Sequence, residues 1–219
     1  VPGSGDFIYF SSDREGGLGG FDIYSYPLAD WQRPSIVATL AGTVIDAQTG
    51  KAITSLDGAF IPAEVTIERL SDGKVVQVLE TDSTTGSFFV VLKAGESYGI
   101  SVSAPGYAFA SENYEVRLED GYNELHHTFK IRKVEVGSIV SLVNIFFDFG
   151  KSELRRESEP ELQRIIELMN DYPEMKIEVQ GFADSVGNKQ FNLFLSRMRA
   201  QSVAQWITAH GIPEKRVAH

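Results

Sequence analysis

The 219-residue sequence predicts a multidomain chain: an all-β sandwich followed by an α/β layer of order β-α-β-α, with a β-hairpin ahead of both. Three observations predict it. Side chains alternate with period two in short segments between residues 39 and 133, apolar residues fall at helical spacing in two stretches beyond residue 158, and two aromatic-rich runs flank a glycine cluster near the start.

The hairpin comes first in the chain. Phe7 to Ser11 and Phe21 to Tyr26 read as strands joined by a loop holding Gly16, Gly17, Gly19 and Gly20. A lone two-stranded hairpin is marginal in water, so this one needs a neighbour.

Between 39 and 133, Val65 and Ile67 alternate with Thr66 and Glu68, and Tyr98, Ile100 and Val102 with Gly99, Ser101 and Ser103. Such alternation gives one buried and one wet face. Turn residues at Ser71-Asp72-Gly73-Lys74, Thr84-Thr85-Gly86, Ala94-Gly95-Glu96 and Pro105-Gly106-Tyr107 divide the region into about seven strands, the pattern of a sandwich.

Val143 to Asp148 is apolar on both faces, as expected of a strand in the middle of a layer. Ser158 and Glu161 have the spacing of a capping box, ahead of a helical stripe at Leu162, Ile165, Ile166 and Met169. Tyr172-Pro173 ends that helix, because a residue before proline is pushed out of the helical region. Met175 to Gln180 alternates as a strand, and a second helix is expected from about Lys189 to Ala209, closed by Gly211 and Pro213.

Composition narrows the function. A formal net charge of -10 without a basic cluster argues against a nucleic-acid or anionic-membrane partner. No apolar run approaches the roughly 18 residues that span a bilayer, so any membrane attachment rests on an anchor outside this sequence. The absence of cysteine excludes disulfides and thiolate chemistry. His126 and His127 are neighbours on a strand and face opposite ways, and neither a histidine-glutamate zinc motif nor a catalytic triad is visible. Asp148 and Asp184 have the residue type of a glycosidase pair, but a nearby Arg199 would keep Asp184 ionised. The chain is expected to be a binder, not an enzyme, and to need no cofactor.

The candidate site is the loop Gly181-Phe182-Ala183-Asp184-Ser185-Val186-Gly187 with the helix after it. On a wheel of 100° per residue Arg199 falls within about 20° of Asn192, beside Leu195, Ser196, Val203 and Trp206. A guanidinium on that half-buried face needs a carboxylate. Spacing alone leaves two answers: Asp184 pairs with Arg199 internally, or the two hold the opposite ends of a ligand.

Three family resemblances follow. Asn144 to Asp148, Ser152, Leu154, the 181–187 loop, Asn192, Leu195-Ser196, Arg199-Ala200 and Gly211-Ile212 resemble the OmpA-like peptidoglycan-binding domain over residues 140–219. That resemblance implies recognition of the diaminopimelate-containing peptide stem of peptidoglycan. Asp184 would take the ammonium, Arg199 the carboxylate and Asn192 a further polar contact, with the backbone around Phe149 and Gly150 as the other wall. Phe182-Ala183 stands where the family has His-Thr, and Val186 where it is often polar. The family continues beyond the point matched by Arg216 to His219, which implies an exposed sheet edge. Residues 39–133, through Gly42 to Asp46, Thr49-Gly50, Ala63 to Ile67, Thr85 to Phe88, Gly95, Tyr98 and Pro105 to Tyr107, resemble the carboxypeptidase regulatory-like family, an immunoglobulin-like sandwich without catalytic residues. Residues 1–34 resemble the last repeat of a TolB-like β-propeller, the alternative being a hairpin packed on the next domain. The order is similar to that of Bacteroidota outer-membrane lipoproteins, some of them secretion accessories. A periplasmic, outer-membrane-associated protein that anchors an assembly to the cell wall is therefore expected. A second reading is an envelope protein-interaction scaffold that works through the sandwich; Tyr107, Phe109 and Tyr114 then form either its contact patch or, as such rings more often do in a sandwich, part of its core.

Overall fold

The computed structural model describes residues 6–33, 35–117, 123–182 and 188–219. Strands β1 (Phe7–Ser12) and β2 (Asp22–Pro27) pair antiparallel as the hairpin. Arg14 lies over the Tyr24 ring at 3.6 Å, a cation–π contact that clips the loop to the second strand.

Seven strands follow: β3 (Val37–Asp46), β4 (Glu64–Arg69), β5 (Lys74–Glu80), β6 (Ser87–Lys93), β7 (Glu96–Ser103), β8 (Ala110–Val116) and β9 (Asn123–Ile131). They form a three-stranded sheet of order β6-β3-β9 and a four-stranded sheet of order β5-β4-β7-β8. The expected alternation is what fills the space between them. Leu40, Val44, Val65, Ile67, Phe88, Val90, Leu92, Ile100, Val102 and Phe129 are buried in one shared core. Two turns show why the chain reverses where it does. Gly73 takes φ +65° between β4 and β5, and Asp82 accepts from the backbone N–H of Thr84 and Thr85 between β5 and β6. Tyr107 is buried with its hydroxyl donating to Asp46 at 2.9 Å, and Phe109 is also buried. Of the two places open to these rings, both take the core, where their area is removed from water, and not a contact patch.

Beyond the sandwich are α1 (Glu159–Asp171), β10 (Ile177–Glu178), α2 (Lys189–Ala209) and β11 (Val217–Ala218), with β10 and β11 parallel. Leu162, Ile165, Ile166 and Met169 of α1 meet Val203 and Ile207 of α2 in a second core, which Phe109 of the sandwich also enters. No helix among the described residues is long and apolar enough to cross a membrane.

Two expectations are corrected here. Residues 143–148 are not a strand beyond a single bridge from Phe147 to Leu154. The Phe146 backbone is satisfied by the start of the helical region: its N–H donates to Ser158 Oγ at 2.8 Å and its carbonyl accepts from Arg155 N at 3.0 Å. Ser158 is occupied in that contact, so the capping box does not form, and Glu161 is buried against other partners. Tyr172 closes α1 as its C-terminal cap, and α2 has the expected limits.

Candidate functional site

Asn188 starts α2 by accepting from Gln190 N and Phe191 N at 2.9 and 3.1 Å, which satisfies two free donors of the first turn. About three turns on, α2 presents Arg199 towards the turn Asp148-Phe149-Gly150-Lys151. That turn is closed by a hydrogen bond from Lys151 N to Asp148 O at 3.1 Å. Gly150 holds φ +69° with open space where a Cβ would lie, so backbone conformation and not crowding calls for glycine.

Arg199 is fixed by backbone and ring. Its Nε donates to Lys151 O at 3.0 Å, its Nη2 donates to Asp148 O at 3.4 Å, and its guanidinium carbon sits 4.7 Å from the Phe147 ring centroid. These contacts use the Nε side of the fork. The end formed by Nη1 and Nη2 keeps N–H donors to spare, since a guanidinium carries five. Among the described residues no ion pair includes Arg199. The neighbouring carboxylate of Asp148 meets Lys151 Nζ at 3.1 Å in an exposed ion pair.

The loop side is defined at its two ends. A Cβ on Gly181 would lie 2.1 Å from the carbonyl oxygen of Ser196 and 3.4 Å from Ala200 Cβ, so only glycine lets the chain pass this close to the helix that bears Arg199. Phe182 is largely exposed. Asp184 lies outside the described residues, as do Ala183, Ser185, Val186 and Gly187. Asn192 is half-buried on the same helix, and Phe149 projects fully into solvent at the tip of the 148–151 turn. The structure thus brings together Arg199 and the turn with Phe149 and Gly150. Among the described residues no group of acidic or histidine side chains is arranged to hold a metal ion.

Sequence reasoning missed the means of holding Arg199, because carbonyls and a ring leave no charge pattern to read. It also missed Arg216. That side chain donates to Met169 O in the last turn of α1, to Tyr172 O at its cap and to Met175 O ahead of β10, at 2.7, 2.9 and 2.8 Å.

Comparison with known proteins bears on this same region. The OmpA family model matches residues 146–219. A peptidoglycan-associated lipoprotein of Agrobacterium fabrum is 33% identical over 73 residues, 33% of this chain and 41% of that protein. Outer membrane protein A of Serratia marcescens is 32% identical over 77 residues, 34% of this chain and 21% of that protein. The chain thus spans less than half the length of these relatives. The solved structure of S.CueP is 23% identical and covers 51% of this chain and 69% of its own, with a TM-score of 0.33, too low to place the fold. The part of the chain from residue 146 to 219, with both helices and the turn against Arg199, matches the OmpA family.

Proposed function

We propose that the chain binds peptidoglycan noncovalently through the α/β region and so ties an outer-membrane-associated assembly to the cell wall, facing the periplasm. The family match and the relatives named as peptidoglycan-associated lipoproteins support the class of target. One observation carries the site: a half-buried arginine held by two carbonyls and a ring, without a carboxylate partner among the described residues. Carbonyl partners orient a guanidinium without neutralising it, which leaves it ready for an anion. The free end of diaminopimelate carries an ammonium and a carboxylate on one carbon. Arg199 would receive the carboxylate as a bidentate fork through Nη1 and Nη2.

Asp184 would take the ammonium, and the tight passage of Gly181 along α2 supports placing that loop in the site. Asn192 would add a polar contact, and the backbone of Phe149 and Gly150 the opposite wall. In this reading residues 39–133 are a carboxypeptidase regulatory-like spacer of immunoglobulin-like type, residues 140–219 the binding domain, and residues 1–34 the remnant of a propeller blade. Binding requires no cofactor, and catalysis has no part in it.

The test is sedimentation with purified sacculi. The wild-type chain should be retained, and Asp184→Ala and Arg199→Ala should each lose most of that retention. Equal retention of all three sinks the assigned site, and release of soluble muropeptides over time would replace binding with hydrolysis.

A further inference from the structure

The sandwich and the α/β layer meet through a polar cluster that binding does not explain. Arg164 of α1, mostly buried, contacts Glu68 of β4 through Nη2 and Glu161 of its own helix through Nη1, the second at 2.9 Å. Glu161 is fully buried, and its Oε2 also accepts from Ser111 Oγ of β8 at 2.9 Å and from Asn144 Nδ2 at 3.4 Å. Gly99 of β7 faces the same amide, so closely that a Cβ would lie 3.2 Å from Asn144 Nδ2. Three strands of the sandwich thus converge on Asn144: β4 through Arg164 and Glu161, β8 through Glu161 alone, and β7 directly.

Asn144 opens the segment that leads to the candidate site. Two residues on, the Phe146 backbone is fastened to Arg155 and Ser158. The next residues are Phe147, whose ring lies against the Arg199 guanidinium, and Asp148, whose carbonyl accepts from it. The chain of contacts is continuous from Glu68 and Ser111 to Arg199, and its middle is buried where side chains have few alternative positions.

We propose that Glu68 and Ser111 of the sandwich are positioning residues for Arg199, acting through Arg164, Glu161 and Asn144 to set the backbone of residues 144–148. As a statement about ligand binding this rests on the peptidoglycan reading of Arg199. As a statement about geometry it does not. The sandwich is then part of the site's support, and a change on its outer face is felt more than one layer away.

The experiment uses the full chain and a side-chain resonance. The Arg199 Nε–Hε signal is assigned by its loss in Arg199→Lys and followed without ligand in Glu68→Ala, Ser111→Ala and the conservative Glu68→Gln. The signal should move in both alanine variants and return towards its wild-type position in Glu68→Gln, whose amide oxygen still accepts from Arg164. Sacculus affinity of the two alanine variants should fall by about threefold to tenfold, the usual size of coupling through a packed network. If Glu68→Ala does not fold, Ser111→Ala, which removes one hydroxyl, decides alone. A lowered melting temperature with the Arg199 signal unmoved overturns the proposal and leaves the cluster a purely stabilising contact. Failure of the wild-type chain to bind sacculi overturns the peptidoglycan reading instead, while the resonance still reports on the coupling.

Discussion

Arg164 and Arg199 sit on neighbouring helices and have opposite surroundings. Arg164 is enclosed between layers and meets two carboxylates, Glu68 and Glu161, so its charge is more than balanced. Arg199 stands at the rim and meets two carbonyls and the Phe147 ring, and among the described residues nothing occupies the other end of its fork. Among the described residues, the saturated arginine thus ties two layers together, and the oriented but unsaturated one is the arginine we propose as the ligand's anion partner. Arg216 sharpens the contrast. It too meets carbonyls, but two of them, Met169 and Tyr172, lie at the end of α1, where the helix dipole concentrates negative charge, and the third, Met175, ties that end to the chain ahead of β10.

The largest effect that would break this contrast is expected at the joint. Arg164→Ala leaves Glu68 and Glu161 without a counter-charge, Glu161 wholly buried, and should cost about 3–5 kcal/mol of stability. Denaturant unfolding measures it, and a loss below about 1 kcal/mol would mean that the joint is no more than a surface ion pair. Gly181→Ala comes next. Its methyl would collide with the Ser196 backbone, so the chain must shift, at about 1–3 kcal/mol, and sacculus binding should fall with it.

Acid-base behaviour sharpens the contrast further. Burial pushes the Glu161 carboxyl above its ordinary range, against the opposing pull of Arg164, Ser111 and Asn144. A carboxyl whose folded pKa is raised stabilises the fold below its unfolded pKa, and that contribution is lost as pH rises through the folded pKa. Glu161→Gln cannot ionise. The stability of the variant relative to wild type should therefore improve from about pH 4 upwards, and a difference that stays flat with pH would show that Glu161 titrates normally. The smallest change in stability, within about 0.5 kcal/mol, is expected for Arg199→Lys at its half-exposed rim. Sacculus retention should nevertheless drop severalfold, because an ammonium cannot supply a planar fork.

Much of the fold was legible because its causes are local. The period-two alternation of Val65 with Ile67 and of Tyr98, Ile100 and Val102 identified strands whose inward residues are indeed the core. The stripe from Leu162 to Met169 did the same for α1, and α2 ends where Gly211 and Pro213 suggest. Errors arose where a distant partner outbid a local one. Ser158 and Glu161 have the spacing of a capping box, yet Ser158 is engaged by Phe146 and Glu161 by Ser111 and Arg164. Residues 143–148 look like a central strand, yet their backbone is satisfied by Arg155 and Ser158. Of the candidate site, the half-buried position of Arg199 was readable from the helical wheel. Its carbonyl cradle was not, since backbone acceptors exist at every residue and only the fold selects two of them.

The contact of α1 with the sheet also sets how load travels. In a cell-wall tether, tension entering at Arg199 passes into the 148–151 turn and then divides. One path runs along the chain through residues 134–143, and the other crosses sideways through Glu161, Arg164 and Phe109 into strands β4 and β8. Bonds loaded side by side share a pull, so the sideways path must shear as a group before the connecting segment bears the full force. In such a tether the joint would act as a clutch between the two layers, engaged as long as Arg164 keeps both its carboxylates.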